Sequence, residues 1–147
     1  MKILSAFVML LFFGFFQKSE PITLISAQQQ EWIAGRKESG KGIDYTFKFL
    51  ANKKIKKLQF KTLVLGDKNF ELSQNNSLSS SEFRKGDTVI LKFSRHWQPN
   101  ADGKLVESTE KYFVTKPVFD RIVYTIKNKE FVLKIGDIKQ LPRQNYQ

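Results

Sequence analysis

The chain has no cysteine, one histidine and two methionines. Without cysteine there can be no disulfide, no thiolate ligand for zinc and no N-terminal cysteine to carry a lipid. A lone histidine, His96, cannot build a multi-histidine zinc site, and no cofactor is expected. Helical periodicity is also missing: beyond residue 27, no stretch of roughly ten or more residues repeats at the helical spacing. Motifs for known chemistries fail in turn. Asn100-x-Asp102-Gly103 has the oxygen spacing of a calcium loop, but the position that needs a bidentate acid falls on Thr109. Ser39-Gly40-Lys41-Gly42 lacks the Gly-Lys-Ser/Thr ending of a phosphate loop. Ser94, His96 and several aspartates leave a nucleophilic triad formally open, without the local signature of a nucleophile elbow.

What the chain does carry begins at its first residues. Lys2 precedes residues 3–16, an apolar run broken only by Ser5 and Gly14, and a polar stretch then ends Ile25-Ser26-Ala27. This is the tripartite form of a secretory signal, with small Ala27 suited to the last position before a cut. The run falls short of the roughly 20 apolar residues that a spanning helix needs. Residues 1–27 are therefore expected to be a signal peptide, or an anchor if left uncut, and residues 28–147 a single domain. The expected location is outside the cytoplasm: periplasm, outer surface or medium, with no membrane span unless the signal is retained.

Beyond that point, short strands with period-two alternation follow one another. Gln28-Gln29-Gln30 reads as a frayed terminus and Glu31-Trp32-Ile33-Ala34 as a first strand. Tyr45, Phe47 and Phe49 then alternate with Thr46 and Lys48. In residues 56–65, Leu58, Phe60, Thr62 and Val64 are assigned to one face and Gln59, Lys61 and Leu63 to the other, before a Gly66-Asp67-Lys68-Asn69 turn. Residues 73–81 read as a polar surface loop. Val89, Leu91 and Phe93 follow Lys85-Gly86-Asp87, and Asp102-Gly103 marks a hairpin turn. Residues 112–115 form a strand interrupted by Pro117. A last hairpin sets Ile122, Tyr124 and Ile126 against Phe131, Leu133 and Ile135 around Asn128-Lys129, leaving residues 142–147 as a polar tail. The expected fold class is all-β: an antiparallel β-sandwich of about eight strands, immunoglobulin-like, preceded by an N-terminal signal helix. A small closed barrel is the alternative.

Charge carries the functional weight. The chain has 25 basic and 14 acidic residues, a net +11; without residues 1–27, which hold Lys2, Lys18 and Glu20, it has 23 and 13, a net +10. Lys53, Lys54, Lys56 and Lys57 crowd one turn, and Lys127, Lys129, Lys134 and Lys139 decorate the last hairpin and its exit. Brought together, they would make a polyanion-binding face. Kept apart, they would be a solvated surface that stops strand edges from pairing with neighbours.

Several short elements, in order, carry a resemblance. They are Glu31-Trp32-Ile33-Ala34-Gly35, Gly40-x-Gly42-x-x-Tyr45, Leu65-Gly66-Asp67-Lys68, Lys85-Gly86-Asp87-Thr88, and Tyr124 with Lys127-Asn128-Lys129 leading to Leu133. In these the chain resembles a family of small exported bacterial β-sandwich proteins of uncharacterised function. That family has Asn-Gly at the last hairpin where this chain has Asn128-Lys129, and it brings no catalytic residues with it.

The function expected from these features is non-enzymatic: a binding or accessory module at the cell envelope, acting through a basic face or a sheet edge. Its partner would be an envelope protein, an acidic glycan or a lipid headgroup, with nucleic acid the least expected polyanion outside the cytoplasm. The competing expectation is a hydrolase of envelope polymers, with paired acids drawn from Asp67, Asp87, Asp102, Glu107, Glu110 and Asp137, which would have to share one cleft. A third is a purely structural accessory domain.

Overall fold

The computed structural model describes residues 20–35, 40–72, 82–108, 112–114 and 119–146. The apolar run of residues 3–16, the serine-rich stretch of residues 73–81, Glu110 and Pro117 lie outside them. The described residues are all-β, with no helix among them. In chain order the strands are β1 (Ile22–Ile33), β2 (Lys41–Ala51), β3 (Ile55–Lys56), β4 (Leu58–Leu65), β5 (Lys68–Glu71) and β6 (Glu82–Phe83). They continue with β7 (Thr88–Pro99), β8 (Leu105–Glu107), β9 (Tyr112–Val114), β10 (Arg121–Ile126), β11 (Lys129–Lys134) and β12 (Lys139–Asn145). One five-stranded sheet has the order β12-β1-β2-β7-β8, a second has β11-β10-β4-β5-β9, and β3 pairs with β6 in a two-stranded ribbon.

The expected alternation builds the core. Tyr45, Phe47 and Phe49 of β2, Val89 and Leu91 of β7, and Ile122 and Tyr124 of β10 are all buried in a single cluster. Rings from the two sheets touch: Phe49 of β2 lies 5.3 Å from Phe60 of β4, and Phe70 of β5 lies 4.9 Å from Phe93 of β7. In β4 the assigned faces hold only as far as Phe60. Tyr124 pairs with Phe60 and Val123 with Thr62, so Lys61 is an extra, bulged residue. A bulge of one residue reverses the parity of the strand beyond it. Leu63, expected on the outer face, therefore joins Leu58 and Phe60 in the core.

Both ends of the chain differ from expectation. The first strand begins at Ile22 and not at Glu31, and Gln28, Gln29 and Gln30 pair in mid-strand with Thr46, Tyr45 and Asp44. Ile22 is fully buried and Ala27 nearly so. A domain starting at residue 28 would lack half of β1, so the folded unit reaches back at least to Ile22. At the other end, where a polar tail over residues 142–147 was expected, β12 runs through Asn145 and pairs with β1, and in parallel, against the antiparallel expectation. Pro142 is tolerated because β12 is an edge strand, where a missing N–H need not interrupt a ladder.

The last hairpin is also one residue out of its expected register. Ile126 pairs with Lys129, so the two-residue loop is Lys127-Asn128. Both loop residues have positive φ, 49° and 66°, the pattern of the mirror-image turn that matches strand twist.

Candidate functional site

The strand registers decide which lysines meet. The innermost pair at one end of the second sheet is Leu58 with Ile126, so Lys57 and Lys127 stand side by side just beyond it. Lys129 closes the hairpin opposite Ile126. Lys53, Lys54 and Lys56 lie in the segment that joins β2 to β4 at this same end, and all six lysines are exposed. Lys134 is not with them. It pairs with Arg121 at the far end of the hairpin, where its ammonium lies 5.7 Å from the ring of Phe119. Lys139, at the start of β12, pairs with Gln28.

Two of the converging lysines hold a backbone conformation that lysine disfavours. Lys57 has φ 57° and Lys127 has φ 49°. A left-handed conformation costs a non-glycine residue roughly 1–2 kcal/mol, and such outliers collect where a side chain is needed for function. That both lie next to the same residue pair, and that both are cations, sets this end of the sheet apart.

Sequence reasoning missed two more cations here. Gly86 N donates to Ala51 O (2.8 Å) and Ala51 N to Asp87 O (2.9 Å), which pins the turn carrying exposed Arg84 and Lys85 against the end of β2. The register between Ile55 and Phe83 could have signalled this, but a two-residue ribbon leaves no pattern in a sequence. The acids at this end are few. Glu82 bridges Lys54 (2.5 Å) and Lys56 (3.2 Å), and its hydrogen bonds to Lys54 and then Lys56 hold its carboxyl below the usual range. Asp87 accepts from Arg84 N (2.7 Å). Among the described residues Glu20 and Glu130 also lie at this end, so the eight cations named here face four carboxylates. The arrangement can hold an extended anionic surface through long-range field and many weak contacts.

The opposite end, about 35 Å away along β1, is built differently. A cavity of about 500 Å³ is lined by Glu31, Trp32, Lys41, Ile43, Trp97 and Arg143 among others. The indole of Trp32 lies across Gly42, where a Cβ would come within 2.4 Å of the ring. Its centroid is 5.5 Å from that of His96 on β7, so the histidine belongs to a strand-face aromatic group. Ser94 Oγ donates to Asp44 Oδ1 (2.6 Å), whereas a nucleophilic triad puts the imidazole between hydroxyl and carboxylate. Nearby, Glu107 of β8 joins the two sheets by pairing with Arg95 of β7 (2.7 Å) and Lys68 of β5. Burial acts to raise the Glu107 carboxyl, but its bonds to Arg95 and Lys68 outweigh burial and bring it below the usual range.

Among the described residues, the acids that a hydrolase would need sit on separate elements. Asp67 sits in the β4–β5 turn, Asp87 before β7, Asp102 in the β7–β8 turn and Asp137 between β11 and β12, while Glu107 is engaged by two cations. None of these five lines the cavity. Among the described residues no group of three potential metal ligands comes together. No family model matches the chain, and neither does any curated protein or solved structure.

Proposed function

We propose that the protein is an exported, non-enzymatic module that binds a polyanionic partner at the cell envelope through its lysine end. The observation that carries this reading is the convergence of Lys53, Lys54, Lys56, Lys57, Lys127 and Lys129 on one end of the fold, two of them in the left-handed conformation. An immunoglobulin-like sandwich is the fold reading that goes with it. In its support, β1-β2-β7 and β11-β10-β4-β5 follow the strand orders A-B-E and G-F-C-C′ of that fold. The affinity expected of such a surface is electrostatic, and so falls steeply with salt.

Chromatography on heparin tests the reading. The full chain in detergent should elute at higher salt than a variant carrying Lys53→Gln, Lys57→Gln, Lys127→Gln and Lys129→Gln. Lys134→Gln, at the other end of the hairpin, should elute with the wild type. Co-elution of the fourfold variant with the wild type would remove the lysine end as the binding surface.

A further inference from the structure

The point at which the chain enters the sheet gives that surface a direction. The first pair of β1 is Ile22 with Ala51, at the lysine end. There Asn52 N donates to Pro21 O (2.9 Å), and Asn52 Nδ2 donates to Glu20 O (2.8 Å) and Thr23 Oγ1 (2.7 Å). Whatever precedes Glu20 therefore leaves the domain from the end where the lysines converge.

What precedes it is short and then apolar. Residues 17–21 are all that separates Phe16 from Ile22, a reach of at most about 18 Å even when extended. Residues 3–16 hold no charge. Fourteen residues would span only about 21 Å as a helix, against roughly 30 Å of hydrocarbon, so this run is a weak anchor by itself. Weak anchors hold a protein firmly when a polybasic surface supplies a second attachment. The burial of Ile22 and Ala27 also places the expected cut after residue 27 inside a folded strand, where a peptidase would remove core.

We propose that the lysine end is a docking surface for anionic lipid headgroups of the bilayer that receives residues 3–16, with those residues retained. The domain then stands on the membrane on its lysines, and the Trp32–Trp97 cavity points away from it. This rests on the basic-surface reading above and adds the partner and the orientation. Lys53, Lys57, Lys127 and Lys129 each weight the docked state about fivefold next to an anionic leaflet, an advantage confined to about a Debye length of the surface.

The absence of cysteine makes the test clean, since a single introduced thiol is the only one to label. The full chain is labelled with a donor dye at Glu130→Cys, beside the hairpin tip, or at Ala101→Cys, in the far turn. Each is reconstituted in vesicles containing a headgroup-labelled acceptor lipid. With phosphatidylglycerol in the vesicles, energy transfer from position 130 should exceed that from position 101. The difference should collapse in pure phosphatidylcholine and in the fourfold lysine variant, whose thermal unfolding should match that of the wild type. Equal transfer from the two positions in anionic vesicles, or the same difference in neutral ones, would overturn the inference. If heparin retention survives that result, the lysines bind a soluble polyanion and only the membrane assignment falls; if retention is absent as well, both readings fall. Purified cellular protein whose mass shows residues 3–16 removed would also overturn it.

Discussion

Ile22 and Ile25 are the same residue type, three positions apart, in a stretch that reads as the tail of a signal peptide. The fold gives them opposite fates. Ile22 is fully buried at the start of β1, whereas Ile25 sits at the bulge between Leu24 and Ser26 and is 56% exposed. Ile22→Ala removes three buried carbons, about 2.4 kcal/mol of transfer free energy at roughly 0.8 kcal/mol each. The cavity left behind raises the loss to about 3–4 kcal/mol. For a unit of about 125 residues the unfolding entropy near the midpoint is roughly 0.26 kcal/mol per kelvin, so Tm should fall by about 12 °C. Ile25→Ala, in contact mainly with water, should stay within about 0.5 kcal/mol of the wild type, or about 2 °C. Thermal unfolding of the full chain followed by circular dichroism gives both numbers in one experiment. Equal, small shifts for the two variants would mean that the core does not include Ile22, and both the strand boundary and the membrane orientation built on it would be wrong.

The ion cluster between the sheets and the strained hairpin give two further expectations. Glu107→Gln leaves Arg95 and Lys68 without their shared carboxylate and should destabilise the protein by about 2–4 kcal/mol, read from urea unfolding near neutral pH. Because the folded carboxyl of Glu107 lies below its unfolded value near 4.3, its contribution is complete above that value and is lost as pH falls through the lower, folded one. The wild-type urea midpoint should therefore drop in that acid range more steeply than that of the variant; parallel curves would contradict the pairing. Lys127→Asn puts a residue tolerant of left-handed backbone at φ 49° and should raise Tm by about 2–4 °C, while heparin elution moves to lower salt. A variant that gains no stability would show that the lysine is unstrained there.

The parts of the fold legible in the sequence are those where side-chain pattern and pairing coincide. Tyr45, Phe47 and Phe49 alternate without interruption, and their strand is central in its sheet, so the pattern could be read directly. The same reading failed in β4 because a bulge at Lys61 reverses parity without any glycine to announce it. β1 was hidden by its neighbours: Ser26 and Ala27 were read together with the apolar run upstream, whereas the strand that holds them begins at Ile22. β12 was hidden by its composition, since a parallel edge strand held by backbone bonds needs no buried face and its residues are mostly exposed. Six of the seven proposed site lysines lie together because turn residues that were legible in the sequence stack at one end of the sheets. Lys134 was misplaced because hairpin length, and not sequence proximity, separates it from Lys127. Glu107 could be suspected only as an acid; its partners lie 12 and 39 positions away, and nothing local connects them.

The parallel pairing of β12 with β1 has a consequence for timing. Gln29 and Gln140, whose side chains meet across that pair, are 111 positions apart. A chain made at about 5–20 residues per second needs roughly 6–20 s to supply the second partner after the first, far longer than a hairpin takes to close. Until then β1 has an open edge, and the contacts that finish this sheet are among the least local in the molecule, the kind that slow folding. Completion of the sheet waits for the 111 positions that separate these partners, and β12 is the clasp that closes the open edge of β1.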